Sequence, residues 1–387
     1  MNIVPYFQPI VDISTAQVAG HEVLARIIDD TGRARSAGHL FTDASMDEAS
    51  ILAIDRNVRA QAMQRFAEAG QPGFLTLNIS PRWVELLAGS VVPTIEMMRE
   101  YRIAPEKLVV EITETHSDSA KLMQIASLYK QEGIRVAVDD FGSGYAHFDR
   151  VISLEPDIVK LDMRLFKEAV RGGFPQHIVH SLSFMAERLG SMVLCEGIED
   201  FAELSFALEI GSRLHQGFMF SAAQPHFSDR HAFSRDIAGL RYEFLQQRIA
   251  RERRQHIDEA NLLVEAEKLC QLIRDAGEKF SPEQITIADE RAFRLFLCDT
   301  AGTQISPNFH LQQGRWLQNY DRLGTNWSWR PYFYQLFSAQ MAGVKKPVAS
   351  REYHDSTTGM LIKTIACFVD AQRILMVDVR DTGSFSL

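Results

Sequence analysis

Cysteine is scarce: Cys195, Cys270, Cys298 and Cys367 stand far apart and match no metal-binding or redox spacing. That pattern argues against a disulfide-stapled fold and a thiolate metal centre, and it suits a reducing cytoplasm. No apolar run approaches the ~18 residues that a membrane span needs. Met1 to Pro9 carries neither a basic stretch nor a long apolar one, so no signal peptide and no membrane partner are expected. Basic charge is not in excess either. The formal net charge is −9, which disfavours a simple nucleic-acid binder, and no DNA partner is expected. An acidic chain still suits a phosphate ester when its carboxylates hold divalent cations. With 387 residues, 46% hydrophobic and 24% charged, the chain is long enough for two domains with real cores.

From Val4 to about Phe220, short apolar runs rich in β-branched residues alternate with helical stretches. The runs are Tyr6–Val11, Glu22–Ile28, Phe74–Asn78, Leu108–Ile112, Arg135–Val138, Ile158–Lys160, Met192–Leu194 and Gly217–Phe220. Helical patterns between them include Met46–Glu68, Ala120–Glu132 and Gln176–Leu189. Such alternation implies parallel pairing through crossover helices. About eight units in roughly 230 residues fit an α/β fold of the TIM-like (β/α)8 kind, with an open doubly wound sheet as the alternative.

Most runs end on or near a charged or amide residue: Asn78, Glu111, Asp139 with Asp140, Lys160 and Glu196, while Glu22 heads its run. One such residue is ordinary for a strand end. Together they converge, because the C-terminal ends of barrel strands share one face. Carboxylates crowded on one rim repel unless a cation sits among them. Hard oxygen donors without histidine or thiolate favour Mg²⁺ or Mn²⁺. Gly142 and Gly144 lie just after the aspartate pair, beyond Phe141, and read as a mobile loop.

These residues lie in an ordered set of short motifs. Gln8 sits in Tyr-Phe-Gln-Pro-Ile-Val, and Glu22 opens Glu-Val-Leu-Ala-Arg26. Asn78 lies in Leu-Asn-Ile-Ser-Pro, followed by Glu111-Ile-Thr-Glu114 and Asp139-Asp140-Phe-Gly-Ser-Gly-Tyr. Lys160-Leu-Asp162, Glu196-Gly-Ile-Glu199 and Gln216-Gly complete it. Over about residues 4–227 the chain resembles the EAL family of cyclic di-GMP phosphodiesterases. The resemblance implies hydrolysis of cyclic di-GMP to a linear dinucleotide with two Mg²⁺ or Mn²⁺ per site. It implies that Glu22, Asn78, Glu111 and Asp139 hold one metal, and that Asp139 bridges to a second, which Asp140 also binds. By the same resemblance Lys160 orients the attacking water, Glu196 is the general base, and Glu114 anchors the loop after Asp140. Gln8, Arg26, Gln216 and Asp162 are expected to bind the ligand, Arg26 at a phosphate and Gln216 from the site rim. EAL relatives also commonly dimerise, so a homodimer is expected.

The chain departs from the family at two places. Val23 replaces the usual alanine, and Ala146-His147-Phe148 follows Tyr145 where the family has two serines and a leucine. The second change bears on the loop, so a non-catalytic cyclic di-GMP receptor is the competing reading.

Beyond about Ser228 the sequence becomes highly charged, with apolar residues at helical spacing from Phe233 to Ile273. The expected organisation is a barrel over 1–230, a helical linker over 231–280 and a smaller domain over 281–387. In that last part, strands are expected at Ala292–Cys298, Val348–Tyr353, Ile362–Phe368 and Arg373–Val379, with a helix at Pro331–Met341. The segment Asn-Trp-Ser-Trp-Arg-Pro-Tyr-Phe resembles the Arg-x-Tyr-Phe stretch of PAS-like and Cache domains, and the whole layout resembles YkuI-type EAL proteins. The dense aromatics also suit an ordinary core. Arg330 is different: a buried arginine needs an anionic partner, either a small carboxylate ligand or an internal acid.

Overall fold

The computed structural model describes residues 2–42, 46–79, 92–112, 119–142, 154–277, 280–344 and 346–380. The chain divides into two compact units, Met1–Leu245 and Gln246–Leu387.

The first unit opens with two long strands, β1 (Asn2–Asp12) and β2 (Gln17–Ile28), and a short β3 (Ala34–Ser36). Helices α1 (Gly38–Thr42) and α2 (Glu48–Glu68) follow. The chain then alternates through β4 (Phe74–Ile79), α3 (Pro93–Glu100), β5 (Leu108–Ile112), α4 (Ser119–Gln131), β6 (Arg135–Phe141) and β7 (Ile158–Leu161). Helices α5 (Met163–Val170) and α6 (Phe174–Arg188), strand β8 (Met192–Cys195), helix α7 (Phe201–Glu209) and strand β9 (Leu214–His215) complete the alternation. The strands order as β1-β9-β8-β7-β6-β5-β4-β2, and β1 also pairs with β2, so the sheet closes into an eight-stranded barrel.

Three details differ from the sequence reading. First, β1 is antiparallel to both β2 and β9. Only four residues separate Asp12 from Gln17, which suits a hairpin and cannot hold a crossover helix. Asp12 Oδ1 builds the turn by accepting from Ser14 N at 2.8 Å. Second, the last strand is Leu214–His215, and Gly217–Phe220 is bend and turn. Gly217 must stay a glycine because a Cβ there would collide with the Ile198 backbone. Third, β2 pairs in parallel with β4 only over Gly20 to Glu22, then runs on as a hairpin arm against β1 and β3. Glu22 therefore ends the barrel portion of its strand.

Strand side chains alternate between faces. One face supplies the barrel interior: Ile10, Phe74, Val109, Ala137, Ile158, Leu194 and Leu214 form one buried cluster. The Phe74 ring fills the space beside Gly20, where a Cβ would collide with it. The other face packs under the helices in a larger core that includes Leu75, Val110, Val138, Val159 and Val193.

Helix α8 (Ser234–Ala276) is continuous through the segment read as a linker. Its Ile237 belongs to the core of the first unit. Its Leu262, Ala266, Leu269, Cys270 and Ile273 belong to the core of the second. In the second unit, strands β10 (Ala292–Asp299), β11 (Asn308–Gln312), β12 (Arg315–Asn319), β13 (Val348–Ala349), β14 (Tyr353–His354), β15 (Leu361–Phe368) and β16 (Arg373–Arg380) form one antiparallel sheet. Its order is β12-β11-β10-β16-β15-β13, with β14 also on β15. The hairpin β11–β12 was not anticipated. Helix α9 (Pro331–Met341) falls where the sequence predicts it. Leu295, Leu297, Leu375 and Val377 share a core with α8, and Phe296, Cys298, Ile374 and Met376 share one with α9. Among the described residues, no helix is long and apolar enough to cross a membrane.

Candidate active site at the barrel mouth

The period of two builds the site directly on the interior layer. Two residues beyond Val109, Ala137, Ile158, Leu194 and Leu214 stand Glu111, Asp139, Lys160, Glu196 and Gln216. Strand β1 runs the other way, so Gln8 stands two residues before Ile10 and directly opposite Glu22. Asn78 lies opposite Glu111 across β4 and β5.

Lys160 is the centre of the arrangement and is 1% exposed. Its Nζ lies 2.7 Å from Glu196 Oε1, 2.8 Å from Glu111 Oε2, 3.0 Å from Asp139 Oδ1 and 3.6 Å from Glu22 Oε1. Glu22 also accepts from Asn78 Nδ2 at 3.2 Å and from Gln216 Nε2 at 2.6 Å. Gln216 Nε2 reaches Gln8 Oε1 at 3.1 Å, and Gln8 Nε2 donates to Ser221 O at 3.1 Å. Eight side chains from the sequence set, those of Gln8, Glu22, Asn78, Glu111, Asp139, Lys160, Glu196 and Gln216, thus form one connected polar network.

Burial and charge shift the titrations here. Burial pulls the Lys160 ammonium down, but the surrounding carboxylates more than reverse this and hold it well above its ordinary value. Burial raises Glu111 well above the carboxylate range, against the opposing pull of Lys160. Burial likewise pushes Glu196 up to about 8.

The remaining expected residues sit apart from this network. Asp140 is exposed and adopts φ +53°, next to a break in the β6–β7 register, with its backbone N donating to Asp139 Oδ1 at 3.0 Å. A left-handed aspartate at a sheet irregularity turns neighbouring carboxylates in different directions. Arg26 is half-buried, about 13 Å along β2 from Glu22, and donates to Ala25 O at 3.1 Å. Asp162 Oδ1 caps α5 by accepting from Leu165 N at 2.8 Å. Glu114, Gly144 and the Ala146-His147-Phe148 departure lie outside the described residues.

The donor set is of the hard-oxygen kind that suits a divalent cation. Four carboxylates face one ammonium, and Glu111 Oε1 is buried with no hydrogen-bond partner. Such an atom is costly unless a proton or cation meets it. Among the described residues, no three acidic, histidine or cysteine side chains converge into a ready-made cage, because these carboxylates gather on Lys160.

The EAL domain family matches residues 1–223, and the family described as an EAL-domain associated signalling protein domain matches residues 245–385. The uncharacterized EAL-domain containing protein YkuI of Bacillus subtilis is 28% identical over 98% of this chain and 94% of its own length. The crystal structure of YkuI in complex with c-di-GMP and calcium superposes with a TM-score of 0.86 at 27% identity, covering 97% of this chain and 94% of that one. The cyclic di-GMP phosphodiesterase RocR of Pseudomonas aeruginosa is 27% identical over 58% of this chain and 58% of its own length. A manganese and cyclic di-GMP complex of BlrP1 from Klebsiella pneumoniae has a TM-score of 0.51 at 26% identity, covering 58% of this chain and 56% of that one.

Proposed function

The chain belongs to the EAL-domain family, and on that premise we propose that it hydrolyses cyclic di-GMP to linear pGpG at the barrel mouth. The observation that carries this reading is the excess of buried carboxylate around Lys160, with Glu111 Oε1 left unpartnered. Glu22, Asn78, Glu111 and Asp139 would hold one Mg²⁺ or Mn²⁺, and Asp139 with Asp140 a second. When bound, such cations lower the pKa of water and offset phosphate charge.

The chain's own residues do the rest. Lys160 Nζ orients the attacking water and holds the carboxylates in register. Glu196 takes the proton of that water at a carboxylate oxygen. Its value of about 8 belongs to the cation-free site, and positive charge among these acids lowers it toward the range where it serves as a base. Gln8 and Arg26 bind the dinucleotide, and Gln216 orients Gln8 and Glu22. The water oxygen joins phosphorus, one ester bond breaks, the leaving ribose oxygen takes a proton from solvent water, and Glu196 returns its own to solvent.

Incubation of the purified protein with cyclic di-GMP and Mg²⁺ or Mn²⁺, followed by chromatography, tests this. Linear pGpG is expected, and full turnover in a chelator would sink the proposal. The loop departure Ala146-His147-Phe148 favours a second reading, a receptor that binds cyclic di-GMP without turnover. Saturable binding with no product would select it.

The same reading includes a homodimer in which the second unit regulates turnover. Light scattering at micromolar concentration tests the dimer. Truncation after α8 is a poor test of regulation, because it would strip the sheet from the helix's buried Leu262, Leu269 and Ile273. Substitutions within the second unit are the better one.

A further inference from the structure

We infer that Glu203 is a positioning residue for Glu196, acting as a clamp together with Lys167. The inference rests on the reading of Glu196 as the base beside Lys160. Those two residues come from neighbouring strands, Lys160 from β7 and Glu196 from the turn directly after β8. Seven residues beyond each stands a residue of the same type, Lys167 on α5 and Glu203 on α7. These also meet: Lys167 Nζ donates to Glu203 Oε1 at 2.5 Å. An ion pair between the helices thus ties together the same two strand–helix units as the ion pair at the barrel mouth.

The second oxygen of Glu203 reaches the loop that carries Glu196. Glu203 Oε2 accepts from Glu199 N at 2.8 Å, and Lys167 Nζ lies 3.4 Å from Glu199 Oε1. Backbone and packing hold the rest of that loop. Ile198 N donates to Gln216 O at 3.0 Å, and Met219 N donates to Ile198 O at 2.9 Å. A Cβ on Gly197 would collide with Met163 Sδ, so α5 packs directly on the loop. A plain helix cap does not account for Glu203. Asp200 is the N-cap of α7 and accepts from Glu203 N at 2.9 Å, and in a capping box the carboxylate at N3 returns to the N-cap amide. Glu203 stands at N3 but binds the amide before the cap, and its other oxygen goes to a different helix. A buried carboxylate spanning two helices and a loop fixes how far the two units can part, where Lys160 Nζ and Glu196 Oε1 stand 2.7 Å apart.

The test is saturation kinetics of the full-length protein with cyclic di-GMP and Mn²⁺. Glu203→Ala removes both contacts. Its kcat should fall about tenfold with KM nearly unchanged, because misplacing a reacting group by about an ångström can cost up to about a hundredfold while the dinucleotide's own ligands are untouched. Glu203→Gln keeps an acceptor for Glu199 N and should recover most of the rate. Lys167→Met leaves the cap of α7 in place and should also lower kcat. Far-UV circular dichroism identifies an alanine variant that fails to fold, and Lys167→Met then decides. A folded Glu203→Ala with kcat within threefold of wild type overturns the inference. So does a loss expressed in KM, or an equal loss in the alanine and glutamine variants. A wild type that forms no product fails the base reading itself and takes the inference with it, whereas unchanged variants of an active wild type fail the inference alone.

Discussion

Each unit of this protein buries a cation among an excess of acids, two to one in the second unit and four to one in the barrel. In the second unit, the five-donor fork of Arg294 meets two aspartates, and threonine hydroxyls and backbone fill the remaining lone pairs. In the barrel, one ammonium faces four carboxylates, and one buried carboxylate oxygen has nothing. Buried ions tolerate their desolvation only when paired and hydrogen-bonded. A complete cluster therefore reads as structure, and an over-acidic one as a seat for positive charge brought from outside. Counting unpartnered carboxylate oxygens separates these two sites better than burial does, since Glu111 and Asp378 are both almost fully buried.

The largest expected effect tests whether the barrel cluster is chemical. Glu196→Ala or Lys160→Ala should cost about a thousandfold or more in hydrolysis of cyclic di-GMP. Binding of the dinucleotide, measured by calorimetry with Ca²⁺, should largely survive in the Glu196 variant. A protein that keeps most of its turnover would remove the substituted residue from the catalytic set. Next in size is the structural cluster. Arg294→Met leaves two buried aspartates without their cation and should cost about 3–5 kcal/mol in denaturant unfolding of the second unit. Turnover at the barrel per folded molecule serves as the control. A loss below about 1 kcal/mol would mean that the cluster relaxes or hydrates, and the contrast between the units would fail.

Much of this contrast was legible in the sequence, and the misses have physical causes. Asn78, Glu111, Asp139, Lys160 and Glu196 announced themselves because each follows an apolar run and strands of a closed barrel end on one face. Glu22 looked misplaced because β2 continues past the barrel, and a strand's apolar pattern does not say which neighbour it pairs with. The direction of β1 was available in the four-residue link from Asp12 to Gln17, a signal of chain length and not of composition. Gly217–Phe220 resembles a strand locally, but close backbone contact with Ile198 fixes it as a turn. The Arg294 cluster was missed although Arg294 and Asp378 each interrupt an apolar strand. Their pairing depends on β10 lying beside β16, where the two are direct partners.

Cation addition should move the barrel and leave the Arg294 cluster alone. Mg²⁺ or Mn²⁺ at a hundred times its dissociation constant stabilises the state that binds it by about 2.7 kcal/mol. The thermal transition of the barrel should rise accordingly and return in a chelator. Ca²⁺ is expected to stabilise as well while suppressing hydrolysis, since its looser geometry positions water poorly. A rise confined to the second unit would place the cation site elsewhere.

The smallest expected effect is acid sensitivity that belongs to the barrel. His215 on β9 is fully buried, and burial drives its pKa from 6.5 down to about 4. A histidine depressed in the folded state stays neutral there while the unfolded chain takes up a proton. Its contribution is therefore complete above pH 6.5, falls as pH drops below that value, and is exhausted near pH 4. Across pH 6.5 to 4.5 the loss should be about 2 kcal/mol, from roughly 1.4 kcal/mol per pH unit where only the unfolded form is protonated. Other groups titrate over the same range, so the informative quantity is the difference between wild type and His215→Leu. The two stability curves, from urea unfolding at each pH, should run parallel above pH 7 and converge by about 2 kcal/mol toward pH 4.5. Parallel curves throughout would show that the ring accepts a proton in the folded barrel as readily as in the unfolded chain. The carboxylates around Lys160 would not supply the loss in its place, because burial raises Glu111 and Glu196 and groups raised in the folded state gain stability as pH falls.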